Sequence, residues 1–195
     1  MFYTIVHTLL RAVFRLVFRP RFYGRENIPE GAAVVCANHT ASTDPVFLAI
    51  AIPCRDQVHF MAKAELLKNP FQRLLLKGLG VFAVRRGHSD LAAVKRAFTL
   101  LKAGHKVGMF PEGHRVQADE QSQVKTGAAM LAVRAGVPFL PVYISPGRKR
   151  LFSRVDVVIG SPYLVEGKKL SSERYMDIAE ELMRRILSLE PQCHA

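Results

Sequence analysis

Residues 32–37 read Ala-Ala-Val-Val-Cys-Ala, an apolar run with no polar residue at alternate positions. A strand with one wet face alternates apolar and polar side chains. A run without alternation suits a strand covered on both faces, as in a sheet held between two layers of helices. That reading commits the rest of the chain to supplying further strands and helices for both faces. Short apolar runs recur at 58–62, 81–84, 106–110, 139–143 and 156–159. Between them lie helical patterns at 46–51, 70–77, 89–102, 125–135 and 172–187. Pro70, Ser89 and Ser171 sit where helices should start, and Gly78, Gly104, Gly136 and Pro191 where they should stop. In the helix opened by Ser89, the face expected to be buried is Leu91, Val94, Ala97, Phe98 and Leu101. The alternation predicts an α/β fold, with a mainly parallel central sheet flanked by helices. No tract is long enough or polar enough to divide the chain, so residues 21–195 read as a single α/β domain.

Residues 1–20 read differently. At about 100° per residue, Thr4, His7, Thr8, Arg11, Arg15 and Arg19 fall in one polar wedge, with Phe18 the apolar residue inside it. Phe2, Ile5, Val6, Leu9, Leu10, Val13, Leu16 and Val17 fall on the other side. Arg11 and Arg15 interrupt the segment too early for a span of about 20 apolar residues. No small-residue cleavage site follows, which argues against a secretory signal. A basic amphipathic helix of this kind suits the headgroup plane of a membrane, and packing against the domain core is the alternative. Pro20 is expected to end the helix, and 21–31, with Gly24, Pro29 and Gly31, to be a loop.

Charge supports an anionic partner. Lys plus Arg number 28 against 16 Asp plus Glu, a net charge of +12. That excess fits nucleic acid, an anionic membrane surface or phosphorylated substrates. Few aromatics interleave with the basic clusters, which counts against single-stranded nucleic acid. Cys36, Cys54 and Cys193 show no metal-ligand spacing, and their odd number argues against a disulfide framework and for a reducing compartment.

In open α/β sheets, ligands bind at the carboxyl ends of strands. Three strand-end loops carry residues with chemistry, and they are expected to share one cleft. The first is Asn38-His39-Thr40-Ala41-Ser42-Thr43-Asp44. A strand end, a turn and a helix start can bring His39 and Asp44 together, so that the carboxylate fixes the tautomer of the imidazole. Read locally, Asp44 is equally a helix cap and His39 a loop histidine. Ser42 reads as a turn residue, and Cys36 as a buried small residue. The second loop is Arg85-Arg86-Gly87, where an arginine fork suits a phosphate monoester. The third is Phe110-Pro111-Glu112-Gly113-His114-Arg115. There Gly113 permits a tight turn and close approach of a ligand. Glu112 is placed to accept a hydrogen bond from a substrate hydroxyl, and Arg115 to hold a phosphate.

Taken in order, these stretches resemble the 1-acylglycerol-3-phosphate acyltransferases of the glycerolipid acyltransferase superfamily. Asn38-His39 with Asp44 matches the first block of that family, and 80–87, ending in Arg86-Gly87, the second. Phe110 to Arg115 matches the third, and 137–142, around its prolines, the fourth. Lys63-Ala64-Glu65-Leu66 and Lys125-Thr126-Gly127 look like connective sequence of the family. The likeness spans roughly residues 22 to 165. His114 stands where the family usually has Thr, and Arg85 where it often has an acidic or amide residue.

The resemblance implies acyl transfer from acyl-ACP or acyl-CoA to the free hydroxyl of lysophosphatidate, giving phosphatidate. His39 would be the general base and Asp44 its orienting acid. Arg86 and Arg115 would bind the acceptor phosphate. Glu112 and Gly113 would position the glycerol, and Asn38 belongs with this substrate-binding set. No cofactor or metal is implied, and the enzyme would work at the cytoplasmic face of a membrane held by residues 1–19. Two other readings are carried forward. One is a related acyltransferase with a different acceptor, such as glycerol 3-phosphate or another lysophospholipid. The other is a non-enzymatic basic module that binds membrane or nucleic acid.

Overall fold

The computed structural model describes residues 2–84, 90–113, 124–146, 152–167 and 170–190. Seven strands form one sheet: β1 (Arg19–Tyr23), β2 (Ala33–Ala37), β3 (Val58–Lys63), β4 (Phe82–Val84), β5 (Lys106–Met109), β6 (Phe139–Ile144) and β7 (Arg154–Ile159). Their spatial order is β1-β7-β6-β2-β5-β3-β4. Every pairing is parallel except that of β6 with β7. The helices are α1 (Phe2–Val17), α2 (Asp44–Ala51), α3 (Pro70–Gly78), α4 (Leu91–Lys102), α5 (Gly127–Ala135) and α6 (Ser172–Leu187).

The apolar run at 32–37 behaves as its composition demands. All five residues of β2 are fully buried. Val34 and Cys36 join a core with residues of α4, α5 and α6, while Val35 and Ala37 join one with α1 and α2 on the opposite face. Gly108 of β5 is required by this packing, because a Cβ there would run into the ring of Phe60.

Several local expectations need correction. The first helix stops at Val17, and Pro20 lies within β1 rather than ending a helix. Among the described residues β1 is an edge strand bonded to β7 alone, and at an edge a residue without an N–H is tolerated. The expected loop at 21–31 therefore begins as sheet. His7 belongs to the core and not to a polar face. It is 2% exposed, and its Nε2 lies 3.2 Å from the carbonyl of Ala49 and 3.3 Å from that of Ile52. Arg25 donates to the Ile50 carbonyl at 3.0 Å, so two basic side chains serve the carbonyls that α2 leaves unpaired at its end. Phe47 of α2 also packs edge-on against Phe14 and Phe18.

Helix α1 thus shows three sectors. Val6 and His7 are buried, as is Phe18 just past its end; Arg11 and Arg15 lie on a second side; Phe2, Ile5, Leu9, Val13 and Leu16 are exposed. No helix among the described residues is long and apolar enough to cross a membrane. For α4, Asp90 is the cap and accepts from the Ala93 N–H at 3.0 Å; Ser89 lies outside the described residues. Its buried face is Ala93, Ala97, Leu100 and Leu101, with Leu91 and Val94 exposed. α6 spans the expected 172–187 and is capped by Ser171; it buries Tyr175, Ile178, Ala179, Leu182, Met183 and Ile186 and leaves Leu187 exposed. Pro191 lies outside the described residues.

Candidate active site

β2 and β5 are parallel neighbours with Cys36 beside Met109, so the loops leaving their carboxyl ends emerge side by side. The first loop begins at Asn38, which is buried. Its Nδ2 donates to the Ile144 carbonyl at 2.9 Å, and its Oδ1 accepts from the Ile144 N–H at 2.8 Å. The amide expected to bind substrate is therefore engaged with the backbone at the end of β6. There it fixes the point at which the chain leaves the sheet toward His39.

His39 and Asp44 do meet. His39 Nδ1 lies 3.1 Å from Asp44 Oδ2. The separation is closed by a turn, in which the Asp44 N–H donates to the Ala41 carbonyl at 3.1 Å. Asp44 is fully buried, and the same Oδ2 accepts the N–H groups of Thr40 and Ala41, each at 2.7 Å. α2 begins at Asp44, but this oxygen turns back over the loop that precedes the helix. A proton shared between an imidazole nitrogen and a carboxylate belongs on the nitrogen, which leaves Nε2 with its lone pair. Nε2 has no hydrogen-bond partner among the described residues, and the side chain is 14% exposed. The ring is fixed through Nδ1, and among the described residues nothing bonds its other nitrogen.

The second loop supplies the other contacts of His39. Glu112 is 6% exposed, and its Oε2 accepts the backbone N–H of His39 at 2.7 Å. Burial pushes its carboxyl from the ordinary 4.5 up to about 7, with the His39 N–H opposing the rise and the charge of Asp44 adding to it. The Phe110 ring stacks on the imidazole, with centroids 4.2 Å apart and planes 25° apart. The turn closes when the Gly113 N–H donates to the Phe110 carbonyl at 2.9 Å. Gly113 has φ +70°, which favours glycine, and a Cβ there would meet the Lys125 side chain, 2.7 Å from its Cδ. The Lys125 N–H in turn donates to the Pro111 carbonyl at 2.8 Å.

Of the residues expected in the site, the structure brings together His39, Asp44, Glu112 and Gly113, with Asn38 behind them. Arg86, Arg115 and the unusual His114 lie outside the described residues. β4, which leads to Arg86, stands three strands from β2, roughly 14 Å at the usual spacing. The two contacts not anticipated are the Phe110 ring and the grip of Glu112 on the His39 backbone. Both follow from β5 lying beside β2, and strand order is not written in the sequence. The stretch at 137–142 leads into β6 at Phe139: Pro138 precedes the strand, its carbonyl accepting the Val34 N–H at 2.9 Å, and Pro141 lies inside it, paired with Cys36.

The Acyltransferase family profile matches residues 19–145. A 1-acyl-sn-glycerol-3-phosphate acyltransferase of Bacillus subtilis is 31% identical over 195 residues, which cover 96% of this chain and 96% of that protein. One from Pseudomonas aeruginosa is 32% identical over 155 residues, 74% of this chain and 59% of the relative. Among solved structures, the 1-acyl-sn-glycerophosphate (LPA) acyltransferase PlsC of Thermotoga maritima superposes with a TM-score of 0.75 at 27% identity. That match covers 96% of this chain and 79% of the other.

Proposed function

The chain belongs to the acyltransferase family, in its 1-acylglycerol-3-phosphate branch, and on that premise we propose that it transfers a fatty acyl group from an acyl thioester to the free hydroxyl of 1-acyl-glycerol-3-phosphate, forming phosphatidate. The observation that carries the mechanism is the 3.1 Å contact of His39 Nδ1 with buried Asp44, with Nε2 unbonded among the described residues. Nε2 takes the proton of the acceptor hydroxyl as its oxygen attacks the thioester carbonyl. Asp44 holds the ring and stabilises the imidazolium that results. The tetrahedral intermediate then expels the thiolate, which recovers the proton from His39. A thiolate leaves readily, so the reaction needs neither a covalent acyl-enzyme nor a metal or other cofactor. Either acyl-ACP or acyl-CoA fits as co-substrate.

Glu112 and Gly113 place the acceptor's glycerol through the turn they form beside His39. Arg86 and Arg115 are assigned to its phosphate from the sequence. The exposed apolar sector of α1, flanked by Arg11 and Arg15, lies on an anionic bilayer, where both the acceptor and the product reside. In this reading the active site faces the cytoplasmic leaflet.

The test is phosphatidate formation from lysophosphatidate with acyl-ACP and acyl-CoA in parallel assays. His39→Ala should lower turnover by roughly 10²–10⁴-fold, with an unchanged circular dichroism spectrum. Near-normal turnover in that variant would remove the base assignment. Formation of a different phospholipid in place of phosphatidate would reassign the acceptor.

A further inference from the structure

His39 is held at three places, and two of them have evident purposes. Asp44 fixes Nδ1 and Glu112 fixes the backbone N–H. The third is the Phe110 ring, lying nearly parallel to the imidazole at 4.2 Å between centroids. Phe110 follows β5 directly and is partly buried against the α1–α2 side of the core, so its own position is set by packing. The imidazole covers one of its faces. Hydrogen bonds at Nδ1 and at the backbone still leave the ring free to tilt about its χ torsions, and a flat neighbour removes that freedom. The face of an aromatic ring also carries negative potential and attracts a cation above it.

We propose that Phe110 is a positioning residue for His39: stacking fixes the plane in which Nε2 meets the acceptor hydroxyl, and the aromatic face stabilises the imidazolium formed when the proton arrives. This rests on His39 being the base. It goes beyond that reading because it gives Phe110 a part in the chemical step without any contact to substrate. The stack orients the ring throughout, and its attraction grows when His39 becomes charged in the reacting complex, so its effect belongs to kcat. An apolar residue that merely walled the acceptor site would act on KM.

The experiment compares Phe110→Leu, Phe110→Met and Phe110→Tyr in the full chain. The acceptor is lysophosphatidate in mixed micelles, with whichever donor the wild type uses. Leu and Met keep apolar bulk and lose the aromatic face, whereas Tyr keeps the face. We expect kcat to fall by a factor of roughly 3 to 30 in the Leu and Met variants, from the usual worth of a cation–aromatic contact, with acceptor KM within about twofold. Phe110→Tyr should recover most of that loss. In parallel, the proton signals of the His39 ring, identified by their absence in His39→Ala, should show an upfield ring-current displacement that Leu and Met abolish and Tyr keeps. Unchanged kcat in the Leu and Met variants overturns the proposal, and so does a loss confined to KM or a Tyr variant as impaired as Leu. Should His39→Ala keep its turnover, the base reading fails by itself. The ring-current measurement would still decide whether the stacking exists in solution.

Discussion

Glu112 offers the sharpest physical test, because its carboxyl is both buried and pushed from 4.5 to about 7. A carboxyl whose folded value is raised keeps its proton in the native state while the unfolded chain has already released it. Between about pH 4.5 and pH 7, unfolding therefore releases a proton, and stability falls as pH rises. The contribution is fully present below the unfolded value and is lost by the time pH passes the folded one. At about 1.4 kcal/mol per pH unit the full shift corresponds to about 3 kcal/mol, and discounting for water that reaches the carboxyl leaves roughly 2 kcal/mol. Glu112→Gln removes the titration and keeps an oxygen that can accept the His39 N–H. Urea unfolding of both proteins at about pH 5 and about pH 8 should show the wild type losing roughly 2 kcal/mol relative to the variant across that interval. A difference between the two proteins that stays constant to within about 0.5 kcal/mol would refute the buried-carboxyl account. The same variant examines the acceptor site: loss of glycerol contacts raises acceptor KM, whereas loss of the backbone clamp alone lowers kcat.

Two further outcomes follow from the geometry. Asn38→Ala strands the N–H and carbonyl of Ile144, which should cost roughly 2–3 kcal/mol by urea unfolding and lower kcat more than it changes KM, because the loop carrying His39 loses its tether. Replacing Leu9 and Leu16 together by Ser should weaken sedimentation with anionic vesicles by about tenfold or more while leaving the melting temperature within a few degrees, since both side chains are exposed; unchanged sedimentation would place the membrane contact elsewhere.

The fold class was legible because β2 is buried on both faces, and no polar residue can be afforded there. The neighbours of β2 were not legible. Nothing local in 106–109 says that this strand lies beside 33–37 and not at an edge. β1 was missed for a related reason. A five-residue edge strand that contains proline has almost no signature of its own and exists through its pairing with β7. The first helix shows what periodicity can and cannot give. Its cationic and apolar sectors were separable by angle. Which part of the apolar sector would turn inward depended on Phe47 and the end of α2, so His7 was misplaced. At the site, the His39–Asp44 pair was visible as a spacing. The ring of Phe110 and the oxygen of Glu112 became partners of His39 only through strand order.

The placement of β1 has a consequence for how the chain is made. Among the described residues its sheet partner is β7, so the Arg19 N–H waits for the Ser153 carbonyl, to which it donates at 3.1 Å. During synthesis the first helix leaves the ribosome long before the strand that anchors the segment behind it. The apolar residues that α1 turns inward are covered once Phe47 and the end of α2 follow them, whereas its outward ones stay exposed even in the finished fold. The segment of α1 and β1 is therefore fixed in two steps set by the order of synthesis, first by α2 and last by β7.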